Sequence, residues 1–322
     1  MRLLRGRVSG QAPSSHVIAT IGNFDGVHHG HQALIRTLVE QARSQQLKTL
    51  VLLFEPQPHE YFHQDVSHPR LSGFKEKYVL LKALGVDYVC CLRFDKALAS
   101  MTADDFAHDI LFQWLRVKHL YIGHDFCFGR GREGTPQKLQ TIASHYDATV
   151  TVFDDVMDAG IRVSSTEVRS LLSQGQLKQA AMKLGRLYSI SGRVQKGQAL
   201  GRTFGVPTAN MTVRQKPLPL AGVFCVQVTR ACGAQHLGVA NLGKRPTVDG
   251  MKTILEVHVL DFSGSLYGEV LNVSFLHHLR EEKKFSSFDA LIAQIKTDIL
   301  EARALMPQLV QDFQIEYDHA PG

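Results

Sequence analysis

Several common features are absent from this chain, and each absence removes a class of protein. No apolar run approaches the roughly 20 residues that span a bilayer; the stretches that come nearest are short, such as 50–54 (LVLLF). The N-terminal stretch MRLLRGRVSGQAP has no apolar segment long enough for a signal peptide. Cysteine is scarce and odd in number, with five residues (Cys90, Cys91, Cys127, Cys225, Cys232), two of them adjacent and none in a CxxC pair. A disulfide framework or zinc site is therefore not expected, and a reducing, cytoplasmic setting is. There is one Trp, no unbroken block of lysines and arginines, no internal repeat and no low-complexity tract. Neither a membrane nor a nucleic-acid partner is expected, because no dense basic patch or aromatic stacking signature accompanies the charge.

What is present is ordinary globular material. Hydrophobic residues make up 44% and charged residues 20%, which argues against disordered, collagenous or fibrous classes. At roughly 150 residues per domain, 322 residues predict about two domains. The balance of 36 basic and 30 acidic residues gives +6, a mild excess that suits an anionic partner and decides little alone.

The two halves have different periods. In the first, apolar stretches at 17–21, 50–54, 86–92, 117–122 and 148–153 read as buried parallel strands separated by helical patterns. One such helix carries Leu34, Ile35, Leu38, Val39 and Ala42 at helical spacing. The expectation is an open parallel sheet covered on both faces. In the second half, LEVHVLDF (255–262) alternates, with Leu255, Val257 and Val259 on one side and Glu256 and His258 on the other. Further short strands at 189–195, 223–229, 236–241 and 269–275 suggest a small antiparallel barrel. A helix capped near Ser286 or Ser287 follows, with Phe288, Leu291, Ile292, Ile295 and Ile299 as its apolar face. The segment LKQAAMKL ends at Gly185, which places the domains at 1–184 and 185–322.

The informative stretch of the first half is Ile21 to His31 (IGNFDGVHHGH), entered by a strand and left by a helix. Gly22 and Gly26 permit tight turns, and helix N-terminal amides can face an anion. His28 and His31, three residues apart, can point at one phosphate and stabilise charge on its oxygens. Taken alone, the spacing also fits a surface pair or a metal site. The stretch resembles the HxGH signature of nucleotidylyltransferases, here His28-His29-Gly30-His31, and Ser164-Ser165-Thr166-Glu167-Val168-Arg169 resembles their SSTxxR. The latter alone could be a helix N-cap.

The first-half motifs, with FEPQPHEYF (54–62) and GHDFCFGRGREGT (123–135), resemble the adenylyltransferase half of the bacterial bifunctional riboflavin kinase/FAD synthetase family. That resemblance implies an α/β nucleotidylyltransferase-type, Rossmann-like domain using FMN and ATP. By it, His28 and His31 stabilise the transferring phosphate. Gly22, Phe24, Asp25, Gly26, Asp125, Arg162, Ser165, Thr166 and Arg169 bind ATP or its phosphates. Phe54, Pro56, Pro58, Phe62 and Phe128 line the flavin; their other reading is ordinary apolar packing. Cys127 departs from the family's DFRFG, where an Arg stands.

The second half carries GRTFGVPTANM (201–211), in which Thr208 and Asn210 are neutral oxygen donors on one side of an extended chain. Such oxygens suit magnesium, and a turn is the alternative. PTAN, GVF (222–224), NLGKRPT (241–247), LEVHVLDF and LREEKKF (279–285) follow the order of bacterial riboflavin kinase domains. This resemblance implies a six-stranded barrel with a C-terminal helix, in which Thr208 and Asn210 bind Mg²⁺ with ATP and Glu256 is the general base. Gly201 and Gly205 would let a loop close over phosphates, and Arg280 contacts flavin or phosphate unless it makes a salt bridge. Glu281 stands where the family often has Pro, Asn or Asp, a mild departure in a loop. The substrates implied are riboflavin, FMN and ATP, with weak self-association left open. Two further matches are set aside: GRGREG (129–134) lies amid arginines without a clear acidic ribose partner, and Arg245 breaks the P-loop pattern of 238–244.

Overall fold

The structure is a computed structural model that describes residues 1–6, 12–63, 68–158, 160–195, 206–213, 217–247 and 250–315. It divides into two compact units, Met1–His68 with Ser72–Ser165, and Pro69–Leu71 with Thr166–Gly322.

In the first unit, strands β1 (Arg2–Arg5), β2 (Val17–Ile21), β3 (Lys48–Glu55), β4 (Tyr88–Arg93), β5 (Val117–Gly123) and β6 (Thr149–Phe153) form one sheet in the order β1-β4-β3-β2-β5-β6. Every pairing is parallel. The connecting helices are α1 (His29–Ser44), α2 (Pro58–Phe62), α3 (Phe74–Ala83), α4 (Lys96–Ser100), α5 (Ala103–Asp105), which runs into a π-helical stretch Phe106–Trp114, and α6 (Pro136–Ser144). Strand β2 is buried at every position, which its unbroken apolar run requires of a strand covered on both faces. Leu34, Ile35, Leu38, Val39 and Ala42 are the buried residues of α1, as their spacing predicts. Edge strand β1 pairs with β4 and is not expected from the sequence.

The order has a functional consequence. From β2 the sheet grows through β3 towards one edge and through β5 towards the other, so the chain reverses direction between β2 and β5. Open parallel sheets bind ligands outside the carboxyl ends of the strands at such a point. The Ile21–His31 loop leaves β2 there, and Gly123–Asp125 leaves β5 beside it.

Two short strands, β7 (Met157–Asp158) and β8 (Ile161–Arg162), form a hairpin before α7 (Ser165–Ser173) and α8 (Leu177–Leu184). Helix α8 ends on Gly185, whose φ of 68° is the left-handed cap glycine favours. Val168, Leu172, Leu177, Ala180 and Leu184 join the core of the second unit, so the compact units part at Ser165/Thr166, upstream of residue 185.

The second unit is a closed barrel of β9 (Ser189–Gln195), β10 (Ala209–Thr212), β11 (Gly222–Thr229), β12 (Gln235–Thr247), β13 (Gly250–Val259) and β14 (Val270–Arg280), ordered β10-β13-β12-β11-β14-β9 and antiparallel throughout. Alternate residues fill its interior, among them Met211, Phe224, Val226, Leu255, Val257 and Phe275. The opposite faces of the same strands carry Val223, Cys225 and Val239, which pack with Ala302, Met306 and Leu309 of α9 (Phe288–Phe313).

Helix α9 starts where expected, with the Ser287 hydroxyl accepting from the Ala290 N–H. Its packing face differs from expectation. The buried residues are Asp298, Ala302, Met306 and Leu309, while Phe288 is 41% exposed and Leu291, Ile292 and Ile295 are half-buried. The reason is an ion pair: the Arg280 guanidinium grips the buried Asp298 carboxylate through Nε at 2.8 Å and Nη2 at 2.7 Å. That pair, with the apolar turns after it, sets the helix face that meets the barrel.

Candidate active sites

The loop after β2 is bent tightly. Phe24 (φ 46°), Gly26 (φ 78°) and Val27 (φ 44°) all take left-handed backbone, costly for a β-branched residue and therefore held by its surroundings. The buried Asp25 carboxylate accepts from the Ser72 N–H at 3.0 Å and the Ser72 hydroxyl at 3.3 Å. Ser72 Oγ in turn accepts from the Gly26 N–H at 2.8 Å. Ser165, at the start of α7, donates its hydroxyl to the Asp25 carbonyl at 2.9 Å. Asp25 and Ser165 thus hold the loop's shape; Asp25 is turned inward to Ser72 and is not placed as a direct phosphate contact.

The loop delivers two imidazoles. His28 is the N-cap of α1, and its Nδ1 accepts from the His31 N–H at 3.4 Å. A nitrogen used as acceptor carries no proton, so the proton of neutral His28 sits on Nε2. The rings of His28 and His31 stack at 3.7 Å between centroids and 21° between planes, with Phe24 tilted on His31 at 4.9 Å. Burial, His28 and the buried Lys77 ammonium, in that order, hold the His31 pKa well below its usual 6.5. At neutral pH His31 is therefore an uncharged hydrogen-bonding group. Gly22 and Gly30 are explained by close approach: a Cβ on Gly22 would meet the Phe24 ring at 3.1 Å, and one on Gly30 would meet both the His28 ring and the Val163 carbonyl at 3.3 Å.

Arg162 is exposed and lies between two carboxylates, with Nε 2.9 Å from Asp155 and Nη2 3.4 Å from Asp125. Exposed pairs of this kind are worth about 0–1 kcal/mol, so a triphosphate can compete for the guanidinium. Thr166 is exposed, and Arg169 Nε donates to the Pro69 carbonyl at 2.6 Å within the second unit. At the end of β3, Phe54 meets Phe94 edge-on at 5.8 Å, and Phe94 also meets Phe62 at 5.6 Å and Tyr61 at 5.4 Å. Pro58 opens α2, Pro56 precedes it, and Phe62 is 61% exposed. Phe128 differs from the expected flavin wall. It is buried in the core against Phe106, and Phe126 stacks on it at 5.5 Å. Gly134 is required beneath it, since a Cβ there would meet the ring at 2.5 Å. Cys127 between them is exposed, so the departure from the family's Arg falls on a solvent-facing position.

In the barrel unit, strand register assembles a polar row. Asn210 of β10 lies opposite Glu256 of β13, and Glu256 lies opposite Asn241 of β12. Directly opposed residues share a face, here the outer one, since Leu255 and Val257 point into the core. Asn210 Nδ2 donates to the Thr208 carbonyl at 3.4 Å. His258, on the same face as Glu256, bonds through Nδ1 to the Pro207 carbonyl at 2.8 Å and fixes the strand entrance next to Thr208. Two strands across from Asn241, the row's last member is Arg280: Val223 lies opposite both Asn241 and Arg280. Arg280 pairs with Asp298, its Nη1 donates to the Glu281 carbonyl at 2.9 Å, and its guanidinium lies over the Phe285 ring, so the salt bridge named as one reading of this residue is present, with a side chain only 15% exposed. Gly201 and Gly205 lie outside the described residues.

Ser72, Lys77, Phe94, Tyr61 and Asn241 are the members of these sites that sequence reasoning did not single out. Tyr61 and Asn241 lie inside the quoted stretches 54–62 and 241–247 but were not picked out individually, while Ser72, Lys77 and Phe94 lie outside the motifs; burial, ring contacts and register bring them forward.

A doubly wound sheet bearing a paired-histidine phosphate loop, and a separate closed barrel bearing a carboxylate among neutral oxygens, define a two-site transferase of phosphorus groups. Comparison with known proteins makes the class specific. Residues 11–167 match the FAD synthetase family model and residues 184–306 the riboflavin kinase model. The bifunctional riboflavin kinase/FMN adenylyltransferase of Escherichia coli K12 is 45% identical over 304 residues, covering 94% of this chain and 97% of that one. The protein of the same description from Haemophilus influenzae is 41% identical over 304 residues, covering 94% and 99%. The chain belongs to the bifunctional riboflavin kinase/FMN adenylyltransferase family. A solved structure from Streptococcus pneumoniae, described as a macrolide-efflux protein, is 30% identical with a TM-score of 0.79 and covers 94% of this chain and 98% of its own. Among the described residues of this chain, no helix is long and apolar enough to cross a membrane.

Proposed function

We propose that the two reactions of this bifunctional transferase are divided between the two polar sets just described. In the barrel unit, the 5′-hydroxyl of riboflavin gives its proton to Glu256 and its oxygen attacks the γ-phosphorus of ATP, releasing ADP and forming FMN. In the sheet unit, a phosphate oxygen of FMN attacks the α-phosphorus of a second ATP; the bond to the β,γ-diphosphate breaks, and FAD and pyrophosphate result. His28, through Nε2–H, and neutral His31 hydrogen-bond the transferring phosphate, where donors fixed before the reaction act most strongly. Arg162 is the exposed cation for the leaving diphosphate. Phe54, Pro56, Pro58 and Phe62 supply the apolar flavin wall, with Phe94 as the ring they share.

The residues present fit magnesium in the barrel site. Asn210 Oδ1 is left outward by its own amide bond and Thr208 precedes it by two residues, both hard neutral oxygens beside the carboxylate of Glu256. When bound, the ion neutralises phosphate charge. Phosphoryl transfer otherwise asks the protein mainly for position, so Glu256 need only orient and deprotonate the hydroxyl. Five free cysteines support a reducing cytoplasm as the place of action.

The observation that carries this reading is the presence of one complete set in each unit: stacked His28 and His31 at the sheet's reversal point, and Asn210 facing Glu256 across two barrel strands. Purified protein incubated with riboflavin, ATP and Mg²⁺, with the flavins separated by chromatography, tests it. FMN is expected to appear first and FAD to follow; FMN that accumulates without FAD removes the second site from the reading.

A further inference from the structure

Asn241 has a buried amide oxygen with no hydrogen-bond partner among the described residues. Native proteins rarely leave such an acceptor unused, and those that persist call for an explanation. Its neighbours on the barrel's outer face cannot satisfy it. Opposite it on β13 is Glu256, and opposite it on β11 is Val223. Two residues further along β12 the carboxylate end of the exposed Glu282 lies over Gly243. An ionised carboxylate accepts and does not donate, and valine does neither. The one amide donor in the row, Asn210 Nδ2, is turned to the Thr208 carbonyl. Among the described residues, the two opposed to Asn241 are thus an apolar group and an acceptor, the latter a carboxylate read as a base.

We propose that Asn241 is a specificity-determining residue of the kinase site, whose amide oxygen accepts the 4′-hydroxyl of the riboflavin ribityl chain while Glu256 takes the neighbouring 5′-hydroxyl. The geometry suits a polyol. Opposed residues on paired strands have Cβ atoms about 4.5–5.5 Å apart, so two side chains on one face reach adjacent hydroxyls of one chain. The hydroxyl hydrogen that Asn241 accepts fixes the ribityl chain in rotation and so directs the terminal hydroxyl at Glu256. The inference rests on Glu256 being the kinase base.

The test compares native protein and Asn241→Ala with riboflavin and with 4′-deoxyriboflavin, an analogue that keeps the reacting hydroxyl. Asn241→Ala is expected to raise the riboflavin KM about tenfold or more, leaving the MgATP KM and FMN adenylylation unchanged. Native protein is expected to lose a similar factor on the deoxy analogue, and the variant to lose nothing further on it. Losses from residue and hydroxyl that multiply would overturn the proposal, as would a variant that weakens both substrates alike with a lowered thermal midpoint. The analogue tests the native protein independently of any variant: unchanged kcat/KM on 4′-deoxyriboflavin overturns the proposal. Retained kinase activity in Glu256→Ala would instead remove the reading beneath it.

Discussion

His28 and His31 stack face to face at 3.7 Å, and the hydrogen bond that caps α1 runs between them, from the His31 N–H to His28 Nδ1. One contact therefore starts the helix, fixes the tautomer of the first imidazole and places the second against it. The glycine of the signature lets this happen, and the neutral state of His31 follows from it.

That neutrality has a measurable consequence. Burial, His28 and Lys77 push the His31 pKa well below 6.5 in the folded protein, whereas the unfolded chain titrates near 6.5. Below that pH the unfolded state binds a proton that the folded state refuses, so stability is present above pH 6.5 and falls as the pH drops through it. The thermal midpoint is expected to decline more steeply between about pH 7 and 5 in native protein than in His31→Gln. Parallel profiles would show that His31 is not held neutral.

Gly30 has contacts on two sides, the His28 ring and the Val163 carbonyl, each 3.3 Å from where a Cβ would stand. The carbonyl is backbone and yields little, so Gly30→Ala is expected to push the imidazole off position. FMN adenylylation should fall about tenfold to a hundredfold, with riboflavin phosphorylation unchanged. Steady-state rates of the two reactions on one preparation check this.

How far these sites were legible from sequence varies with the physics behind each part. Strands β2 and β3 announce themselves because a strand buried on both faces must be an apolar run. Strand β1 does not, since Arg2 and Arg5 flank its two leucines at a sheet edge. His28, His31, Asn210 and Glu256 lie in local motifs; the structure stacks the first two and sets the last two opposite each other on paired strands. Phe128 and Phe62 are the same residue type in similar motifs, yet one is core and the other exposed, a distinction that only packing makes. Arg280 is decided by Asp298, on an element that reads from sequence as an apolar helix face.

That last pair sets a stability prediction. The side chains of Arg280 and Asp298 are 15% and 3% exposed, and Gln294 Nε2 adds a third bond to the carboxylate at 2.9 Å. Removing one partner leaves a buried charge, which costs about 3–5 kcal/mol. Asp298→Ala is expected to destabilise the barrel unit by that amount, read from denaturant unfolding, and to loosen α9. Arg280→Met in the same background should recover part of the loss, because the orphaned charge is gone.

The central claim is that two separate sites in one chain carry the two reactions, and one crossed measurement addresses it most directly. Folded Glu256→Ala and His28→Ala proteins are each assayed with riboflavin and ATP, and separately with FMN and ATP, with flavins resolved by chromatography. Glu256→Ala is predicted to make no FMN from riboflavin yet convert FMN to FAD, and His28→Ala to make FMN yet no FAD. Loss of both reactions from either single change in a folded protein would contradict the account.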